Sequence, residues 1–168
     1  MAGALIVTAE PGAEELAWLD SLRRRHYPPE RNQLPAHLTM FHALPPSAEG
    51  EVRARLAACA AERPPQATIA GLMDLGGGVA LRVVSDDLDR IREDIARDFF
   101  GLLAAQDSAG WRPHVTIQNK VPPRTARALF DKMQADFRPR PLPIRGLALH
   151  RYLGGPWQLL ASYAFRGR

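Results

Sequence analysis

The chain reads as an α+β protein of two similar lobes around a central cleft, each a small antiparallel sheet flanked by helices. Three observations predict this. Strand-like and helix-like segments alternate, their order occurs twice, and prolines and glycines punctuate both copies at matching offsets. We read one domain, 1–168, made of approximate internal repeats 1–77 and 78–168, because 168 residues suit a single core.

Residues 4–8 (ALIVT) are a β-branched apolar run, a buried strand. Pro11 opens a helix. Glu14 and Glu15 lie in its first turn, Leu16, Leu19 and Leu22 on one face, and Arg23-Arg24-Arg25 at its end, a charge order that suits the helix dipole. After a Pro-containing loop, 37–41 (HLTMF) is a short strand that Pro45-Pro46 stops. A helix follows from about 47 to 61, with Val52, Leu56 and Cys59 inward. Residues 67–75 form a strand, and Gly76-Gly77-Gly78 a turn.

The second half replays this order. Residues 79–84 (VALRVV) are a strand, and Asp86 and Asp87 cap a helix whose face is Leu88, Ile91, Ile95 and Phe99. His114-Val115-Thr116-Ile117 is strand-like and is stopped by Pro122-Pro123. Leu129, Phe130, Met133 and Phe137 mark the next helix, and strands at 142–150 and 157–165 close the chain around Gly154-Gly155. Pro45-Pro46 lie 8 and 9 residues after His37, and Pro122-Pro123 lie 8 and 9 after His114. Ile69-Ala70-Gly71-Leu72 matches Ile144-Arg145-Gly146-Leu147. Shared offsets of this kind point to duplication, and the period is too long for a solenoid.

Composition excludes other classes. With 46% hydrophobic and 24% charged residues the chain is neither a disordered tract nor a membrane protein, and no stretch nears the roughly 20 apolar residues of a membrane span. A net charge of +4 leans toward an anionic partner such as a nucleotide or RNA. Cys59, the only cysteine, rules out an intramolecular disulfide and sits in an Ala-rich helical stretch as a packing residue. Residues 1–10 lack a basic n-region, so a cytoplasmic location is expected, with no obligate protein partner.

The chemistry is concentrated in two His-x-Thr segments. Side chains two apart on a strand share a face, so His37 and Thr39 point one way together, as do His114 and Thr116. In a chain with five histidines, finding two such pairs by chance has odds on the order of a per cent. Converging on one cleft, two imidazoles can hold opposite protonation states near neutral pH. One takes a proton from an attacking water or hydroxyl, and the other gives one to the leaving oxygen. Two threonine hydroxyls can hold the non-bridging oxygens of a phosphate. His26, His42 and His150 do not form a metal-binding spacing, so neither metal nor cofactor is expected. Phe41 and Gln118 continue the two His-x-Thr faces and are candidates for stacking a base and bonding substrate. Arg151 is a candidate phosphate contact. Arg23-Arg24-Arg25 with Arg31 form either an RNA-tracking patch or an ordinary basic helix end.

Pro35-Ala36-His37-Leu38-Thr39-Met40 and Trp111-Arg112-Pro113-His114-Val115-Thr116-Ile117 resemble the two signature motifs of the two-histidine phosphoesterases. The likeness is to the bacterial 2′-5′ RNA ligase-like proteins, also called RNA 2′,3′-cyclic phosphodiesterases. It extends over nearly the whole chain, including the closing Gly154-Gly155-Pro156-Trp157 hairpin. It implies a duplicated fold with His37, Thr39, His114 and Thr116 lining a central cleft. It also implies hydrolysis of a 2′,3′-cyclic phosphate, on an RNA end or a small nucleotide, without cofactor. Two alternatives stay open: 2′-5′ joining of RNA ends, and nucleotide or RNA binding with little turnover. Relatives often carry an arginine shortly after the second motif, where this chain has Gln118-Asn119-Lys120.

Overall fold

Residues 5–9 are apolar or β-branched at every position, which leaves them no solvent-facing side. The computed structural model, which describes residues 3–168, accordingly puts β1 (Leu5–Pro11) inside a sheet. The order is β2 (Leu38–Leu44), β1, β7 (Ile144–Tyr152), β8 (Trp157–Ala164). The equally apolar β4 (Val79–Val84) is internal to a second sheet. There the order is β5 (His114–Gln118), β4, β3 (Thr68–Asp74), β6 (Arg140–Pro141). All pairings are antiparallel.

The boundary near residue 77 is not a boundary between sheets. β3 belongs to the first repeat but pairs with β4, while β7 belongs to the second and pairs with β1. Each sheet therefore takes its third strand from the other repeat. The bulges match. Ile69 and Gly71 oppose Val83 and Arg82, so Ala70 is one residue extra; Ile144 and Gly146 oppose Pro11 and Glu10, so Arg145 is extra. The glycine of the second Ile-x-Gly-Leu is required by close approach to backbone, while that of the first only makes room for the mobile end of an arginine side chain. A Cβ on Gly146 would lie 2.6 Å from the Tyr163 carbonyl oxygen, and one on Gly71 would lie 3.0 Å from Arg82 Nη2.

The helices cross over as well. α2 (Glu49–Cys59) buries Val52, Leu56 and Cys59 and faces the outer side of the first sheet, where its Glu49 meets Arg151. α1 (Ala13–His26) leaves the first sheet and lies on the second, with its Arg23 donating to the Thr116 carbonyl (2.9 Å). α3 (Asp86–Asp98) makes the reverse crossing: its Arg92 donates to the Met40 carbonyl (3.2 Å) and lies over the Phe41 ring. α5 (Pro123–Asp136) completes the cover of the second sheet, Pro at its first turn needing no amide partner. The side chain capping α3 is Ser85, which accepts from the Leu88 amide at 3.0 Å, whereas Asp86 and Asp87 lie in the first turn. A short helix absent from the sequence reading, α4 (Ala105–Ser108), carries the buried Asp107, whose carboxylate accepts from the amides of His42 and Ala43.

One apolar cluster joins both layers, with Leu5, Val7, Leu19, Leu38, Phe41, Leu56, Ile69, Leu81 and Ile95 fully buried. Cys59 is buried within it. Among the described residues, no helix is long and apolar enough to cross a membrane.

Candidate active site

Alternation along a strand assigns the inner, cleft-facing positions. On β1 these are Ile6, Thr8 and Glu10, and opposite them on β7 lie His150, Ala148 and Gly146. On β4 they are Ala80 and Arg82, opposite Thr116 and His114 of β5. Thr39 faces Thr8. β2 and β5 are the edge strands of their sheets and run against each other, so both His-x-Thr segments meet at one seam. Ties from the opposite half fix that seam. Trp111 Nε1 donates to the Thr39 carbonyl (2.9 Å), and Arg23 to the Thr116 carbonyl. Both ties take the threonine carbonyls and leave the hydroxyls for the cleft.

The two histidines are oriented alike. His37 Nδ1 lies 2.8 Å from the Pro35 carbonyl oxygen, and His114 Nδ1 lies 2.7 Å from that of Arg112. A carbonyl only accepts, so each Nδ1 must carry the proton and donate it. In the neutral ring Nε2 is then the basic nitrogen, on both sides of the seam.

Their surroundings differ. The His37 ring packs against Trp157 (centroids 4.6 Å apart), and Trp157 also touches His150 (5.3 Å), whose Nε2 lies 3.0 Å from Thr8 Oγ1. Burial in this corner pushes the His37 pKa down to about 4. The Pro35 carbonyl opposes the shift, and the positive charges of Arg23, His150 and His114 add to it. Beside His114 lies Arg82, exposed and stretched across Gly71.

Three expected contacts are corrected. Phe41 does not continue the Thr39 face. Thr39 and Phe41 oppose Thr8 and Val7, so Met40 is one residue extra and Phe41 turns to the outer face, fully buried under Arg92. Gln118 turns away likewise. Thr116 and Gln118 oppose Ala80 and Val79, Ile117 is extra, and Gln118 is buried with its Oε1 unpartnered. Arg151 has the wrong parity: it opposes Leu5 on the outer face and binds Glu49, whereas His150 and Tyr152 face inward. The Arg23-Arg24-Arg25 run does not act as one patch, since Arg23 is buried at the seam and the next two residues are exposed. Lys120, in the left-handed region (φ 61°), lines a polar recess with Arg23, Arg31, Tyr27, Tyr152 and Trp157. The sequence reading did not single out Arg23, Trp157, His150 or Arg82 for the cleft. The available signal for His150 was its parity with Ala148 on β7.

Among the described residues, no group of three His, Cys, Asp or Glu side chains could hold a metal ion. His42, considered as a ligand, pairs instead with Asp107 at 3.0 Å.

The family model described as the 2′-5′ RNA ligase superfamily matches residues 10–156. The fold is similar to that of TT0787 of Thermus thermophilus, with a TM-score of 0.68 and 20% sequence identity over 98% of this chain and 99% of that one. It is also similar to E. coli LigT complexed with NADP+ (TM-score 0.60, 20% identity, 98% and 99% covered). For E. coli LigT complexed with 3′-AMP the figures are 0.57, 16%, 98% and 99%. No curated protein matches.

Proposed function

The chain belongs to the 2′-5′ RNA ligase superfamily, and from that premise we propose that it hydrolyses a cyclic phosphodiester, a 2′,3′-cyclic phosphate at a cytoplasmic RNA end or on a nucleotide. The observation that carries this reading is the pair of Nδ1 locks, which leave two basic Nε2 atoms at one seam, each beside a threonine. His37, held neutral by burial, takes a proton from water. The water oxygen bonds to phosphorus in line as the bond from phosphorus to the 3′ oxygen breaks. His114, as imidazolium, gives its proton to that oxygen, and the product is a 2′-phosphate. The Thr39 and Thr116 hydroxyls donate to the two non-bridging oxygens as charge builds there. Arg82 and Lys120 add positive charge at the cleft. No step in this scheme needs a metal or a cofactor. The nucleotides in the E. coli LigT complexes support the substrate class.

The test is phosphorus NMR of products from 2′,3′-cyclic nucleotides, RNA with cyclic ends and 2′-5′ linked oligomers, with and without a strong chelator. A 2′-monophosphate that forms in either condition supports the proposal. Activity lost with EDTA and restored by Zn²⁺ or Mg²⁺ rejects the metal-free scheme. Tight binding without turnover of any cyclic phosphate would leave a binding protein.

A further inference from the structure

Two helices cover the outer face of each sheet, and both seams hold a recess, but ion pairs cross only the first, whose recess of about 510 Å³ is lined by Arg55, Asp98 and Glu51. Over the first sheet, Arg55 of α2 binds Asp98 of α3 at 2.9 Å, and Glu62 just beyond α2 binds Arg90 of α3 at 3.4 Å. Over the second sheet, α1 and α5 stand apart and leave a groove of about 540 Å³, within the roughly 300–1,000 Å³ of small-molecule sites. Its apolar lining comes from Trp18, Leu22, Leu81, Leu129, Met133 and Phe137. Leu81 alternates with the cleft-facing Ala80 and Arg82, so this groove lies behind the catalytic sheet and is separate from the cleft.

The rim is charged in one sense. Arg25, Lys132 and Arg138 line it without a carboxylate partner among the described residues. Arg140 lies 3.8 Å over the Trp18 ring and is neutralised by Glu15. Asp136 is the single acid in the lining. His26 reports the local field: burial holds its pKa down, and the charges of Arg25 and Lys132 lower it further. An RNA backbone would neutralise this rim but leave the apolar floor wet. A neutral apolar molecule would cover the floor but leave the cations unmatched.

We propose that this groove is a second ligand site that takes an amphipathic anion, an acyl chain ending in a carboxylate. The chain lies along Leu22, Leu129 and Met133, and the carboxylate meets Lys132 and Arg138. The site stands apart from the cyclic phosphodiester reading, so its test does not use activity.

The probe is dodecanoate below its micelle concentration, titrated into the full chain by calorimetry and followed by the ¹³C-methyl signals of methionine. Saturable 1:1 binding is expected, with the Met133 methyl shifted and those of Met40 and Met73 unmoved. Met40 is buried in the core, and Met73 opposes Ala80 on the cleft face. Dodecanol should bind about tenfold more weakly or worse, and so should dodecanoate to the K132E/R138E variant. Both of those side chains are exposed, so the variant should keep its melting temperature. Met133→Trp, which fills the groove, should also abolish the binding heat in calorimetry. Absence of binding, equal affinity for dodecanol, indifference to the rim reversal, or a shift at Met73 instead of Met133 would each overturn the proposal.

Discussion

His37 and His114 share a motif, a bulge just after the threonine and a lock from Nδ1 to a carbonyl two residues back, although His37 lies just before β2 and His114 begins β5. Their walls share little. Where the first half has Thr8 beside Thr39, the second has Ala80 beside Thr116. Where the first half has Glu10 next along the inner face, the second has Arg82. His37 is enclosed by Trp157 and His150, while His114 sits beside an exposed arginine. Duplication supplies two like-oriented imidazoles, and divergence of the flanking strands gives them unequal surroundings. In the proposed scheme the enclosed one, held neutral by burial, is the base.

Removing either imidazole should break this comparison with the largest effect. His37→Ala and His114→Ala should each lower kcat by about 10²–10⁴-fold. The double variant should be little worse than the poorer single one, because residues acting as a unit are not additive. Near wild-type turnover in either folded single variant would make that histidine structural and end the two-histidine scheme. Thr39→Ala and Thr116→Ala come next, at up to about 10²-fold each, since one hydroxyl contact is lost while both proton transfers remain. If either threonine variant proved worse than the histidine variants, the hydroxyl would need a role in proton transfer.

The pH profile sharpens the asymmetry. A base must be neutral, so kcat/KM should fall as pH drops through about 4, the value to which burial lowers His37. Trp157→Ala lets water reach the ring, removes part of the largest cause of the shift, and should move this limb toward 6.5. A wild-type limb already at 6.5 would show that His37 is not the enclosed base. Stability follows the same sign. The unfolded chain takes up the proton first, so His37 makes the fold lose stability as pH falls from 6.5 to about 4, and imposes no such loss above that window.

The smallest effects should come from the residues the bulges and strand parity remove from the cleft. Gln118→Leu takes away a buried unpartnered oxygen, so it should be neutral or mildly stabilising, with kcat within about twofold of wild type. Arg151→Gln breaks only its outer-face pair with Glu49 and should cost less than about 1 kcal/mol in thermal melts. A large loss of turnover in either would return that residue to the cleft.

Much of the architecture was legible in the sequence because it is written in local terms. Apolar runs set β1 and β4, Pro-Pro pairs end β2 and β5, and amphipathic spacing marks α3 and α5. The repeated His-x-Thr and Ile-x-Gly-Leu offsets fix the duplication without any tertiary information. The tertiary structure alone decided which strands pair and where the alternation slips. A bulge is a mismatch between two strands, so neither Phe41 nor Gln118 carries a local sign that it turns outward. Arg151 and His150 are adjacent, and only pairing with β1 says which of them faces the cleft. The crossing of α1 and α3, and with it the burial of Arg23 and Arg92 against the opposite half's strand, depends on contacts across 93 and 52 residues of chain. Local propensity and periodicity carry no signal over such separations, because the free energy that fixes them is the shared burial of two distant surfaces.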